Sequence, residues 1–389
     1  MLNIFLFLGI AFLLTFLIGR VLEKAKVPWI FGALLLGAAL SIYNPFQEIT
    51  FSETFSFLAK LGMYFLLFII GYEIDLKSFK KNSKFILKAT FFVILFESLF
   101  GSLIIHYLFN IKWAISIIVA LSFATVGEAI LIPILDKFKI ANTKIGQSII
   151  GIGTFDDLIE IIILLFVTFL ISSSITYGTQ MNFVLILTLL FGLFSMTFIL
   201  TKLKKQSQKF KVNSIEMLFL LTLFIFFLFL GIGQYADSIP IAALLAGIAI
   251  KTFVPNERLE TIENEIKTMC YGFFAPIFFI WVGVKMDMHY LLSAPLLILV
   301  ILFVSSFAKI LASYVVGKKE LGAKKSILLG VGLSVRFSTS IIIIKILFEN
   351  SLINSNLYSV LIASSIIFNF IVPFLFSRLL IKWNIHNRT

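Results

Sequence analysis

Two adjacent carboxylates, Asp156 and Asp157, stand in the stretch GIGTFDDLIEI, and apolar or small residues continue on both sides of them. In such a segment neither carboxylate can readily reach water along a lipid-facing surface, so both must look inward or sideways. A carboxylate kept from water holds its proton more tightly, and a second carboxylate beside it tightens the hold further. Such a pair suits the exchange of a bound proton for a small cation. A buried positive charge acts in the opposite sense and keeps one carboxylate ionised; Lys309 is the candidate for that part. The same pairing could instead serve only to hold helices together. Glu160, one turn beyond Asp156, reads as an acid lining the cavity behind the pair.

An ionisable group inside a membrane span costs roughly 2.5–3.5 kcal/mol or more on insertion. Glu97, Glu128, Lys309 and Arg336 all interrupt apolar runs and are candidates for that reason. The segments LSFATVGEAILIPIL from Leu121 and LSVRFSTSIIIIKIL from Leu333 break hydrophobic runs with small and polar residues at matching places. Interruptions of this kind mark discontinuous helices, whose freed carbonyls can coordinate a cation. Thr125, Glu128, Arg336 and Ser338 are then placed to balance the half-helix dipoles. For Thr125 and Ser338, helix packing by small residues is the alternative. Arg336 reads as a dipole or carboxylate partner rather than a substrate ligand. Glu97 reads as structural, because its surroundings offer no further polar ligand. Lys309 could titrate or remain a fixed counter-charge, and residue types alone allow both.

These groups need a scaffold, and composition names its class. The chain has 389 residues, 60% hydrophobic and 13% charged, a balance that a soluble domain could not hide from water. At about 20 apolar residues per span, the pattern predicts an all-α polytopic membrane protein. Its helical segments are expected at 2–19, 28–43, 54–73, 85–109, 112–135, 143–172, 182–202, 214–234, 239–253, 269–286, 292–316, 324–348 and 356–380. The first is expected to be a retained span and not a signal peptide.

The net charge of +12 is topological rather than a nucleic-acid footprint. Basic residues cluster after the first, third, fifth, seventh and eleventh segments, as in Lys77, Lys80, Lys81 and Lys84 or Lys318, Lys319, Lys324 and Lys325. The positive-inside rule then places the N-terminus outside and the C-terminus in the cytoplasm, in a bacterial inner membrane. The single Cys270 excludes an internal disulfide framework.

An internal repeat is also legible. LLFIIGYEIDL from Leu66 matches FFIWVGVKMDM from Phe278 at a shift of 212, keeping Gly71 with Gly283 and Asp75 with Asp287. GALLLGAAL from Gly32 pairs with AALLAGIAI from Ala242 at a shift of 210, and the two interrupted segments pair at 212. The same shift relates Glu97 to Lys309, so repeat-equivalent positions carry opposite charges. The expected halves, about 1–175 and 214–385 joined by a linker helix at 182–202, enter the membrane in opposite senses. One transmembrane domain over 1–389 is expected, with no soluble regulatory domain. Inverted repeats of this kind place a transported substrate near the bilayer midplane.

With these residues in view, the chain resembles the monovalent cation:proton antiporter superfamily, specifically its Kef- and Nap-type sodium/hydrogen exchanger branch. The likeness rests on NTKIGQSIIGIGTFDDLIEIIIL preceded by ATVGEAILIPIL, and on VPWIFGALLLGAAL, FIIGYEIDLKSFKK, APIFFIWVGVKMDM and FAKILASYVVGKK. The resemblance implies the sodium/proton antiporter fold with crossed discontinuous helices, in a homodimer whose core moves in an elevator-like manner. It implies that Asp157 binds the cation and the proton, that Asp156 pairs with Lys309, and that Thr125 lies beside the site. Paired aspartates mark the electrogenic sodium-exchanging members. Relatives often carry Arg-Gly-Glu in the twelfth span where this chain reads Arg336-Phe337-Ser338, which turns Glu128 into the expected compensating acid.

The function expected is secondary antiport of Na⁺, with Li⁺ or K⁺ as other cations, against protons, in the service of pH homeostasis. An electroneutral K⁺/H⁺ antiporter and a gated cation channel are the alternatives; a channel would not need the repeat or the asymmetric Asp-Asp/Lys arrangement. No cofactor is expected beyond the transported ions. An enzyme is disfavoured, since His106, His289 and His386 form no cluster in the sequence.

Overall fold

The structure, a computed structural model, describes residues 3–24, 27–73, 84–127, 130–175, 180–202, 214–236, 238–253, 256–336 and 338–385. In the first part of the chain the helices are α1 (Ile4–Lys24), α2 (Phe31–Ile42), α3 (Gln47–Thr50), α4 (Glu53–Glu73), α5 (Lys84–Phe109) and α6 (Trp113–Phe123). They are followed by α7 (Ile132–Lys137), α8 (Lys144–Ile175), α9 (Gln180–Lys202), α10 (Ile215–Tyr235), α11 (Ile239–Phe253) and α12 (Asn256–Met269). A π-helical turn, Cys270–Phe274, leads into α13 (Ala275–Val284). The last helices are α14 (Met288–Ser293), α15 (Pro295–Leu321), α16 (Ala323–Gly332), α17 (Ser338–Glu349) and α18 (Ser355–Lys382). Among the described residues there is no strand.

Among the described residues, seven helices are long and apolar enough to cross a membrane, and shorter apolar ones accompany them. Each expected span coincides with helix, two of them as broken pairs: α6 with α7, and α16 with α17. The sequence leaves 254–268 as an acidic loop, whereas α12 is helical there. The cause is local. Ile262 and Ile266, one turn apart, are both buried, and Lys267 joins Glu263 and Glu73 at 2.7 Å each.

By internal contacts the chain forms two compact units. The first comprises Met1–Leu8, Phe46–Ile74 and Leu164–Trp281. Its centre is α4 against α11, pressed so close that a Cβ on Gly71 would run into the Leu244 carbonyl and one on Gly247 into the Phe68 carbonyl. Phe65 stacks on both Phe226 (4.3 Å) and Phe274 (4.6 Å) and fills the space beside that contact.

The second unit comprises Gly9–Pro45, Asp75–Ile163 and Val282–Thr389. In it α5 and α16 pack on α15, α6 packs on α17, and α18 lies against α15, α16 and α17. Gly330 allows the approach of α16, since a Cβ there would lie 2.5 Å from the Ile310 Cα. At the end of α13, Gly283 meets α2, where a Cβ would lie 2.6 Å from the Ala38 nitrogen and 2.7 Å from the Gly37 carbonyl carbon. Gly71 meeting α11 and Gly283 meeting α2 are the same contact made by the two repeats.

Gly71→Ala is therefore expected to force α4 from α11 and destabilise the protein by about 1–3 kcal/mol. Gly231→Ala, where a Cβ would meet nothing within 4 Å, is the control. Thermal unfolding in detergent checks this; an unchanged midpoint for Gly71→Ala would show that the approach is not required.

Candidate functional site

The site forms where the broken helices of the second unit cross. Chain breaks inside a membrane leave carbonyls and amides that must find partners within the protein. After α6 the Thr125 carbonyl is freed, and it accepts from Lys309 Nζ at 3.0 Å and from Arg336 Nη1 at 2.7 Å. After α16 the Leu333 carbonyl accepts from the same Lys309 Nζ at 2.6 Å. These are C-terminal half-helix ends, where the dipole favours a cation.

The freed amides are met in turn. Val126 N–H donates to Asp156 Oδ2 at 2.5 Å, Gly127 N–H to the Val335 carbonyl at 2.9 Å, and Arg336 N–H to Asn369 Oδ1 at 3.3 Å. The Gly127–Val335 bond ties one break directly to the other. A long helix follows each break, α8 after the first and α18 after the second, and each sends one side chain back to cap it.

The cations Lys309 and Arg336 are fully buried. Their common partner is Glu97 of α5, itself 2% exposed: Oε2 lies 3.3 Å from Lys309 Nζ, and Oε1 takes Arg336 Nη2 and the Ser305 hydroxyl. Arg336 Nη2 also reaches Ser305 Oγ. The guanidinium lies over the rings of Phe123 at 4.5 Å and Phe368 at 5.1 Å. Every polar group of this cluster sits against apolar walls, so its charges act at low dielectric.

Asp156, Thr125, Glu160 and Ser338 are all buried, and Asp157 is half-buried on α8 next to Asp156. Ser338 opens α17. Thr125 contributes its carbonyl to the cluster. Glu128 lies outside the described residues.

Among the described residues the direct carboxylate contact of Lys309 is Glu97, which reaches it from the directly packed α5 and α15, while Asp156 bonds to a backbone amide and lies near enough to Lys309 to feel its charge. Glu97 supplies a carboxylate to Arg336; the expectation that Glu128 compensates for the missing acid falls outside the described residues. Glu97 is thus the hub of a charge cluster and does not lack polar partners. Its 212-residue relation to Lys309 carried the signal, because residues near a two-fold axis meet their own equivalents.

Three residues were not evident from sequence. Ser305 lies one helical turn from Lys309 and bridges Glu97 and Arg336. Asn369 is the position to which the repeat shift carries Asp157. Lys345 on α17 is fully buried, pairs with Glu349 at 2.8 Å, and lies over the rings of Phe348 and Tyr358.

Known proteins resemble this chain along nearly its whole length. The family described as sodium/hydrogen exchanger, transmembrane, matches residues 10–382. A Na⁺/H⁺ antiporter of Enterococcus hirae is 26% identical, covering 94% of this chain and 96% of that one. A probable Na⁺/H⁺ antiporter 3 of Methanocaldococcus jannaschii is 26% identical, with 92% of each covered. The solved structure of the sodium proton antiporter MjNhaP1 from Methanocaldococcus jannaschii superposes with a TM-score of 0.67. At 17% identity it covers 96% of this chain and 98% of its own, a likeness of fold.

Proposed function

Since the chain belongs to the sodium/hydrogen exchanger family, we propose that it exchanges a monovalent cation, Na⁺ in the first instance, for protons at the crossing of its broken helices. It is a multi-pass membrane transporter and not an enzyme. The observation that carries the reading is the buried Asp156 carboxylate capping the first break, with Asp157 beside it on α8. The names of the relatives from Enterococcus hirae and Methanocaldococcus jannaschii favour Na⁺.

In this reading Asp157 holds either a cation or a proton, so each excludes the other and the gradient of one drives the other. Asp156 keeps one oxygen on the Val126 amide and offers the other to the ion. Thr125 lends its hydroxyl to the ion, while its carbonyl stays with Lys309 and Arg336. Lys309, held by Glu97 and two carbonyls, acts as a counter-charge to the site. Arg336 holds the crossing together, Ser338 supports the second half-helix, and Glu160 lines the approach. Glu128 adds negative charge to the first break.

Exchange proceeds by alternating access of one site, in an elevator-like movement of a homodimer in the bacterial inner membrane, N-terminus outside and C-terminus in the cytoplasm. The repeats over 1–175 and 214–385, joined by 182–202, supply the two access states.

Proton flux in proteoliposomes, with Na⁺, Li⁺ and K⁺ added in turn and the membrane potential clamped or free, tests the proposal. Cation-triggered proton movement that depends on the potential is expected. Passive ion leak with no coupled proton movement under any condition would sink it.

A further inference from the structure

The second break is capped by a neutral side chain where the first is capped by a carboxylate. Asn369 on α18 is fully buried, its Oδ1 accepts the Arg336 N–H at 3.3 Å, and its Nδ2 has no partner among the described residues. An amide with unmade donors is a costly residue to bury, and an apolar side chain of similar size would avoid that cost. What such a residue would lose is the acceptor for the Arg336 amide. What aspartate, the residue at the repeat-equivalent position 157, would add is a charge.

That charge would arrive in a cationic setting. The elements packed on α18 bring up the buried Lys309, Arg336 and Lys345, the last paired with Glu349, while Glu97 already holds the first two. The Arg336 guanidinium is committed to Glu97, Ser305 and the Thr125 carbonyl, which fixes the carbonyl end of the first break next to the aspartates. A second carboxylate bonded to the backbone of Arg336 would compete for the same guanidinium.

We propose that Asn369 is a positioning residue of the ion site, holding the Arg336 backbone through Oδ1 and, by being neutral, leaving the guanidinium to Glu97 and the Thr125 carbonyl. The role rests on the reading of the crossing as the ion site, and acts on the ion through Arg336 and Thr125 rather than by contact.

The test is charge placement. Asn369→Asp keeps the acceptor and is expected to raise the apparent KM for Na⁺ at least tenfold. Adding Glu97→Gln leaves Arg336 a single carboxylate again and is expected to lower the KM at least about threefold from that of Asn369→Asp, without restoring the parent value because Lys309 has lost its partner. A role confined to packing predicts no such rescue. A parent-like KM in Asn369→Asp, or a double variant no better than the worse single one, overturns the proposal.

If Asn369→Asp does not fold, Asn369→Leu, neutral and without the acceptor, is expected to raise the KM by a similar factor, and a parent-like value in it is equally fatal. The same variants are read by the Na⁺ dependence of thermal unfolding, which reports ion affinity without transport. Failure of exchange in the parent would strike the proposed function and leave this comparison standing.

Discussion

Asp157→Asn is expected to abolish cation-driven proton flux while the purified protein keeps its fold. The change is nearly isosteric and removes only the ability to hold a proton or balance a cation. Asp157 is half-buried, so the stability change should stay within about 1 kcal/mol. Flux should fall by about 100-fold or more, because an amide at 157 can neither hold the proton nor balance the cation.

Asp156→Asn behaves differently. It weakens a charge-assisted bond to Val126 worth about 1.5–3 kcal/mol, so it should lower the unfolding midpoint as well as the flux. The comparison separates the ion carrier from the cap. Reconstituted flux and thermal unfolding measured on both variants decide it. Normal exchange by Asp157→Asn would remove the basis of the site assignment.

Much of this architecture could be read from the chain because hydrophobic runs, and their interruptions, follow from the same demand that polar backbone be satisfied inside the membrane. The two breaks around Thr125 and Arg336 stand out for that reason, and so does the buried carboxylate at Asp156. Partner choice was harder. Lys309 has several acids within reach of any plausible crossing, and only the direct packing of α5 on α15 gives it to Glu97.

The departure at Arg336-Phe337-Ser338 pointed to a missing acid and to Glu128, the nearest one in the partner break. Glu97 reaches Arg336 from another helix, and Glu128 itself lies outside the described residues. Helix α12 escaped notice because its apolar positions, Ile262 and Ile266, are diluted by four glutamates. Lys345 sits in the apolar run IIIIKIL, and only tertiary packing places it over Phe348 and Tyr358. In each case the missing information was which faces meet, which periodicity does not carry.

The shared use of Glu97 by two buried cations leads to an ordering that a simple ion pair would not produce. Removing one partner of a buried pair costs about 3–5 kcal/mol, because the other charge is left uncompensated. Glu97→Ala strands both Lys309 and Arg336, while Ser305 loses its acceptor. Lys309→Ala leaves Glu97 bonded to Arg336 and frees only the Thr125 and Leu333 carbonyls, the first of which Arg336 still serves.

The unfolding midpoint should therefore fall further for Glu97→Ala, by roughly 5–10 °C, than for Lys309→Ala. Flux adds the complementary readout. Lys309→Ala is expected to keep the parent's order of preference among Na⁺, Li⁺ and K⁺ while altering the charge moved per cycle, because Lys309 touches carbonyls and Glu97 rather than the ion. Equal midpoints for the two variants would mean that Arg336 does not depend on Glu97. A changed cation order in Lys309→Ala would place that lysine in contact with the ion, and the crossing would then have to rearrange during transport to release it from Glu97.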